Sequence, residues 1–137
     1  MKAKKIALAG IAAYIFDVLT SIVCRGVIFN KVYKIETSEG WRLAECIPPL
    51  SFFIGAFVLS IALAIIYALL KNAIPGRNSY IKGLIFGFFI WVAGVLPGAL
   101  AVLSFMAIEP LAMLYWISIS FAQTPLKCLI ISSIYQS

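Results

Sequence analysis

The chain has 137 residues, 64% of them hydrophobic and 12% charged, with a net charge of +6 and no histidine. A water-soluble domain carries about 25% charged residues, so the composition excludes a soluble globule and points to an all-α integral membrane protein. The missing histidine excludes bis-His haem ligation, His-bound zinc and Ser-His or Cys-His catalysis by this chain alone.

Four apolar segments follow one another. A spanning helix needs about 20 apolar residues, because roughly 30 Å of hydrocarbon is crossed at ~1.5 Å per residue. Lipid offers the backbone no hydrogen-bond partners, so helices are the expected state. The predicted helices cover roughly 5–28, 46–71, 81–106 and 110–134, with an extracytoplasmic loop over 29–45. Together they predict one domain, a four-helix transmembrane bundle with up-down connectivity. Lys2, Lys4, Lys5, Lys71, Arg77, Lys82 and Lys127 fall on one side of it. Arg25, Lys31, Lys34 and Arg42 fall on the other, diluted by Glu36, Glu39, Glu45 and Glu109. The excess of basic residues on the first side predicts that both termini are cytoplasmic. The expected location is a bacterial inner (cytoplasmic) membrane, crossed several times. The basic residues flank apolar runs instead of lining one face, so no nucleic-acid partner is expected.

Helix one starts like a signal peptide, but Asp17 interrupts its apolar run and no small-x-small cleavage site follows, so it reads as a retained helix. Asp17 is the only aspartate in the chain. It lies about 18 Å along the helix from Lys5, near mid-membrane. A charged carboxylate there costs at least ~2.5–3.5 kcal/mol. It must face the bundle, pair with another group, or be protonated. Ala13, Thr20 and Cys24 share its face. In the loop, Phe29, Tyr33 and Trp41 suit the membrane interface. Cys24 and Cys46, at its two ends, can close a disulfide in an oxidising compartment or stand as two small buried thiols. No C-x-x-C motif points to a disulfide oxidoreductase.

Helix two carries a ladder of small residues, Ala56, Ser60, Ala64 and Ala68, each four apart. A Pro75-Gly76 turn follows. Helix three carries Gly83, Gly87, Gly94 and Gly98 within an arc of about 60°, extended by Ala101. Such stripes let helix backbones approach closely, inside the bundle or against a partner. Pro97 frees a carbonyl one turn back and predicts a kink. Pro110 suits the first turn of helix four. The short second and third connections predict that helices two, three and four are neighbours in sequence order. Helix four places Ser120, Gln123, Thr124 and Lys127 roughly on one side, with a second predicted kink at Pro125. Lys127 either snorkels to the cytoplasmic surface or reaches inward to Asp17, from which about two turns of depth separate it.

A single aspartate excludes an aspartyl intramembrane protease, which needs two. No acidic cluster suits Mg²⁺, and Gly94-Val95-Leu96-Pro97-Gly98 lies inside a membrane helix, so it is not a phosphate loop. No metal, cofactor or enzymatic activity is expected. The leading expectation is a non-catalytic accessory or scaffold subunit, packing through its small-residue faces with itself or with a larger membrane complex, among membrane lipids. The alternative is a small proton- or cation-coupled transporter or channel, a homo-oligomer working around Asp17, Thr20, Gln123 and Lys127. A third is a lipid or quinone binder, using grooves beside Phe86, Phe88, Phe89 and Trp91.

The stretch Tyr80-Ile81-Lys82-Gly83-Leu84-Ile85-Phe86-Gly87, with Trp91 and Leu96-Pro97-Gly98, resembles small bacterial four-helix membrane proteins of unknown function. Those combine a basic residue, G-x-x-x-G, Trp and L-P-G in helix three with an acid in helix one, here Asp17. The resemblance spans roughly two-thirds of the chain and implies a fold without an activity. Asp17 is also similar in placement to the single acid in helix one of the small multidrug resistance transporters. That acid is Glu there, and their loops are short where the first loop here is long.

Overall fold

A computed structural model describes residues 3–24, 50–105 and 110–136. The expectations that fall on Arg25, Phe29, Trp41, Glu45, Cys46 and Glu109 lie outside them. The described chain is helical: α1 (Ala3–Val23), α2 (Leu50–Leu70), α3 (Ser79–Phe105) and α4 (Pro110–Gln136). Each is long and apolar enough to cross a membrane. Large apolar side chains such as Leu8, Leu19, Leu50, Phe89 and Leu114 face outward, which suits a bundle solvated by lipid and would be costly in water.

Hydroxyls inside these helices are tolerated because the backbone of the preceding turn satisfies them. Ser60 donates its hydroxyl to the Ala56 carbonyl at 2.7 Å, and Thr20 donates to that of Phe16 at 2.7 Å. After Leu70 the helix closes with Ala73 and Ile74 N–H groups on the Leu70 carbonyl. Gly76 then takes φ 147°, where an L side chain is strained. The chain re-enters a helix as the Lys82 N–H reaches the Asn78 carbonyl.

Packing follows the small residues. α1 lies against α2 and α4, and α3 lies against α4. Ala9 and Ala13 of α1 are buried, as are Ala56, Ser60, Ala64 and Ala68 of α2. A Cβ on Gly10 would meet Ile61 at 2.5 Å. On the other side, a Cβ on Gly87 would sit 2.5 Å from the Pro125 Cα, and one on Gly83 would sit 2.8 Å from the Leu129 Cα. These small residues let the backbones draw together. The expectation that α2 and α3 pack as sequence neighbours holds at one end only, where the Tyr67 and Phe86 rings stand 5.5 Å apart. α2 packs mainly on α1, and α3 packs on α4 through Gly83 and Gly87, so each connected helix leans toward a different neighbour.

That shared end, next to the 71–78 turn, is the packed base of the bundle. Tyr67 is fully buried there among Ile6, Leu63, Phe86, Cys128, Ile131 and Tyr135. Lys71 Nζ lies 5.0 Å over the Tyr135 ring, and Lys82 Nζ donates to the Lys71 carbonyl at 3.0 Å.

At Pro97, α3 widens one turn upstream. Trp91–Val95 form a π turn, and the Leu96 N–H reaches back to the Trp91 carbonyl. Proline has no N–H for the Ala93 carbonyl, and its ring crowds that oxygen, so a widened turn there makes room for the ring. α4 continues as a helix through Pro125.

Candidate intramembrane site

Away from the base, the helices leave between them a half-open cavity of about 640 Å³. All four contribute: Asp17 and Ser21 from α1, with Cys24 just past its end, Phe52, Leu59 and Leu63 from α2, and residues spaced between Ile90 and Val102 of α3 and between Ala112 and Lys127 of α4. Gly94 and Gly98 line it, and a Cβ on either would meet nothing within 4 Å. The glycine stripe of α3 therefore has two uses. Gly83 and Gly87 seat α3 on α4, whereas Gly94 and Gly98 leave space. Ala101 is exposed. The π turn begins between the two pairs, at Trp91, and contains Gly94.

The polar groups gather toward the base end of the cavity. Lys127 Nζ lies 2.9 Å from Asp17 Oδ2, with side-chain exposures of 4% and 17%. Gln123 Nε2 donates to Asp17 Oδ1 at 3.0 Å and to Thr20 Oγ1 at 2.8 Å, and reaches Ser21 Oγ at 3.3 Å. The amide nitrogen, not its oxygen, faces the carboxylate, since two acceptors there would repel.

The structure does not give Lys127 a snorkelling role: its ammonium is buried and paired. Side-chain tilt explains why. On a helix, side chains lean toward the N-terminus. Along the α1–α4 contact, Asp17 meets Lys127 while Cys24 meets Tyr115, whose hydroxyl donates to the Cys24 carbonyl at 3.2 Å. Chain positions thus ascend on one helix as they descend on the other. The two side chains therefore lean toward each other and close the gap in depth. Either charge alone is expensive in lipid. Together at 2.9 Å, with Gln123 on the second carboxylate oxygen, they form a neutral, hydrogen-bonded unit.

Of the other predicted residues, Thr124 lines the cavity. Ser120 donates to the Ile117 carbonyl at 2.9 Å and accepts from Trp91 Nε1 at 3.1 Å, so Trp91 is tied to α4 through Ser120. Cys24 carries a free, half-buried thiol, and its predicted partner Cys46 lies outside the described residues. Three participants were not anticipated. Ser21 stands one helical turn beyond Asp17, which is a usable signal. Gly10 sits beside Ala9 and Ala13, another small stripe. Nothing local marks Tyr115, whose partner is a backbone carbonyl 91 positions away. Among the described residues, no three His, Cys, Asp or Glu side chains come together to hold a metal.

No family model matches the chain, nor does any curated protein or solved structure.

Proposed function

We propose that this chain is a non-catalytic, multi-pass membrane protein that binds a membrane-soluble amphiphile between its helices. The observation that carries the reading is the cavity of about 640 Å³, apolar along its walls, with a buried ion pair at one end. Its size suits a small-molecule site, which typically occupies ~300–1,000 Å³. The accessory-subunit reading relied on small-residue faces free for a partner. Gly83, Gly87, Ala56, Ser60, Ala64 and Ala68 are instead taken up within the bundle; of that small-residue set only Gly94, Gly98 and Ala101 stay exposed, and the two glycines line the cavity, which favours a binder. A second reading, a proton- or cation-coupled carrier, draws support from the Asp17–Lys127 pair, because intramembrane ionisable groups mark transport paths.

We also infer an up-down bundle. Paired contacts that run in opposite chain order support it: Gly10 with Ile61 and Tyr14 with Phe57, Asp17 with Lys127 and Cys24 with Tyr115, Gly83 with Leu129 and Gly87 with Pro125. The basic residues Lys4, Lys5, Lys71, Arg77 and Lys82 support a cytoplasmic position for both termini in a bacterial inner membrane.

The test is native mass spectrometry of the full chain extracted in mild detergent. A lipid-like molecule bound at one copy per chain is expected, and it should be lost from Gly94→Leu, which fills the cavity. A stoichiometric protein partner with no small molecule would replace this reading with that of an accessory subunit.

A further inference from the structure

Resting on the amphiphile-binding reading, we propose that the head of the ligand is an uncharged carbonyl acceptor, of the ketone, quinone or ester class, seated on the Lys127 ammonium. An ammonium has three N–H donors. Among the described residues, Lys127 uses one, on Asp17 Oδ2. Its side chain is only 4% exposed, so few acceptors can reach the remaining two donors except within the cavity that Lys127 lines. An unmet donor at such depth is costly, and an acceptor placed there gains a charge-assisted bond.

Charge selects among acceptors. Asp17 and Lys127 sum to zero, and both carboxylate oxygens already hold donors, Lys127 on one and Gln123 on the other. An anionic head on Lys127 would stand within a few ångströms of the Asp17 carboxylate and leave a net negative charge buried in lipid. A cationic head would meet the same penalty from Lys127. A neutral carbonyl adds a hydrogen bond without changing the net charge. The walls supply the rest: Phe52, Leu59, Leu63 and Val102 line the same cavity, where an alkyl or isoprenoid tail is at home.

Three probes with one tail separate the heads: methyl palmitate, palmitate kept ionised at pH 8, and hexadecyltrimethylammonium. Each is titrated against the full chain in nanodiscs, with bound copies read by native mass spectrometry. The ester is expected to bind about tenfold tighter than either ion, the scale of one charge-assisted hydrogen bond. The double variant Asp17→Asn/Lys127→Met, checked for retained helicity, should bind the ester about tenfold more weakly. Palmitate or the ammonium binding as tightly as the ester overturns the head-group assignment while leaving the cavity reading standing. If none of the three binds the unsubstituted chain above empty nanodiscs, the cavity reading itself falls.

Discussion

The two halves of α3 carry the same kind of residue to opposite ends. Near the base, Gly83 and Gly87 are pressed against the α4 backbone. Within and just past the π turn, Gly94 and Gly98 face open space. In sequence, all four occupy one stripe with matching four-residue spacing. A small residue therefore marks only a missing side chain. Whether a neighbouring helix or a void takes up that room depends on how the helices diverge. Here they diverge because α2 is drawn to α1 at Gly10 while α3 is drawn to α4 at Gly87.

The largest expected effect tests the packed half. Gly87→Leu would push a side chain into the Pro125 Cα, which is backbone and cannot swing aside. Overpacking of this kind costs ~1–3 kcal/mol where side chains can shift, and more where they cannot. SDS-driven unfolding in mixed micelles should show a loss above about 3 kcal/mol, or no folded bundle at all. Unchanged stability would mean that α3 and α4 do not cross at this point.

Next in size is the pair that lies between the two halves. Asp17→Asn alone leaves the Lys127 charge buried beside a neutral amide, a loss of about 3 kcal/mol. Adding Lys127→Met should recover most of it, because a buried ion pair replaced by neutral groups is often close to isoenergetic. A double variant no more stable than the single would show that the pair's charge is not what Asp17→Asn exposes. Gly94→Leu follows, with a change below about 1 kcal/mol, since its new atoms enter free space and bury apolar area. Its cost should appear in ligand binding instead.

How much of this was legible follows from the range over which each signal acts. The four helices and their hydropathy are local properties, and length and composition carry them. The site residues Asp17, Thr20, Gln123 and Lys127 stood out because each is polar where lipid penalises polarity. What periodicity hides is which helices touch. Spacing on α3 placed Gly83 and Gly98 on one face but could not say that α4 would cover only the first. Depth counted along each helix put Lys127 two turns from Asp17, because it followed Cα positions and ignored the tilt of the side chains. The cavity belongs to no segment; it arises where four helices fail to meet.

The smallest expected effect falls on the π turn that joins the two halves of α3. Trp91 donates to Ser120 at 3.1 Å and presents its ring edge-on to Phe121 at 5.0 Å. Trp91→Phe keeps an aromatic ring against Phe121 and removes only the indole donor. The Ser120 hydroxyl retains its own bond to the Ile117 carbonyl, so no buried donor is orphaned. Hydrogen bonds between membrane helices average about 0.6 kcal/mol, and the loss should be of that order in SDS-driven unfolding. A loss several times larger would mean that Trp91 holds the π turn open. In that case Trp91→Phe should also shrink the cavity and weaken ligand binding, although Trp91 is tied to the Asp17–Lys127 pair only through α4.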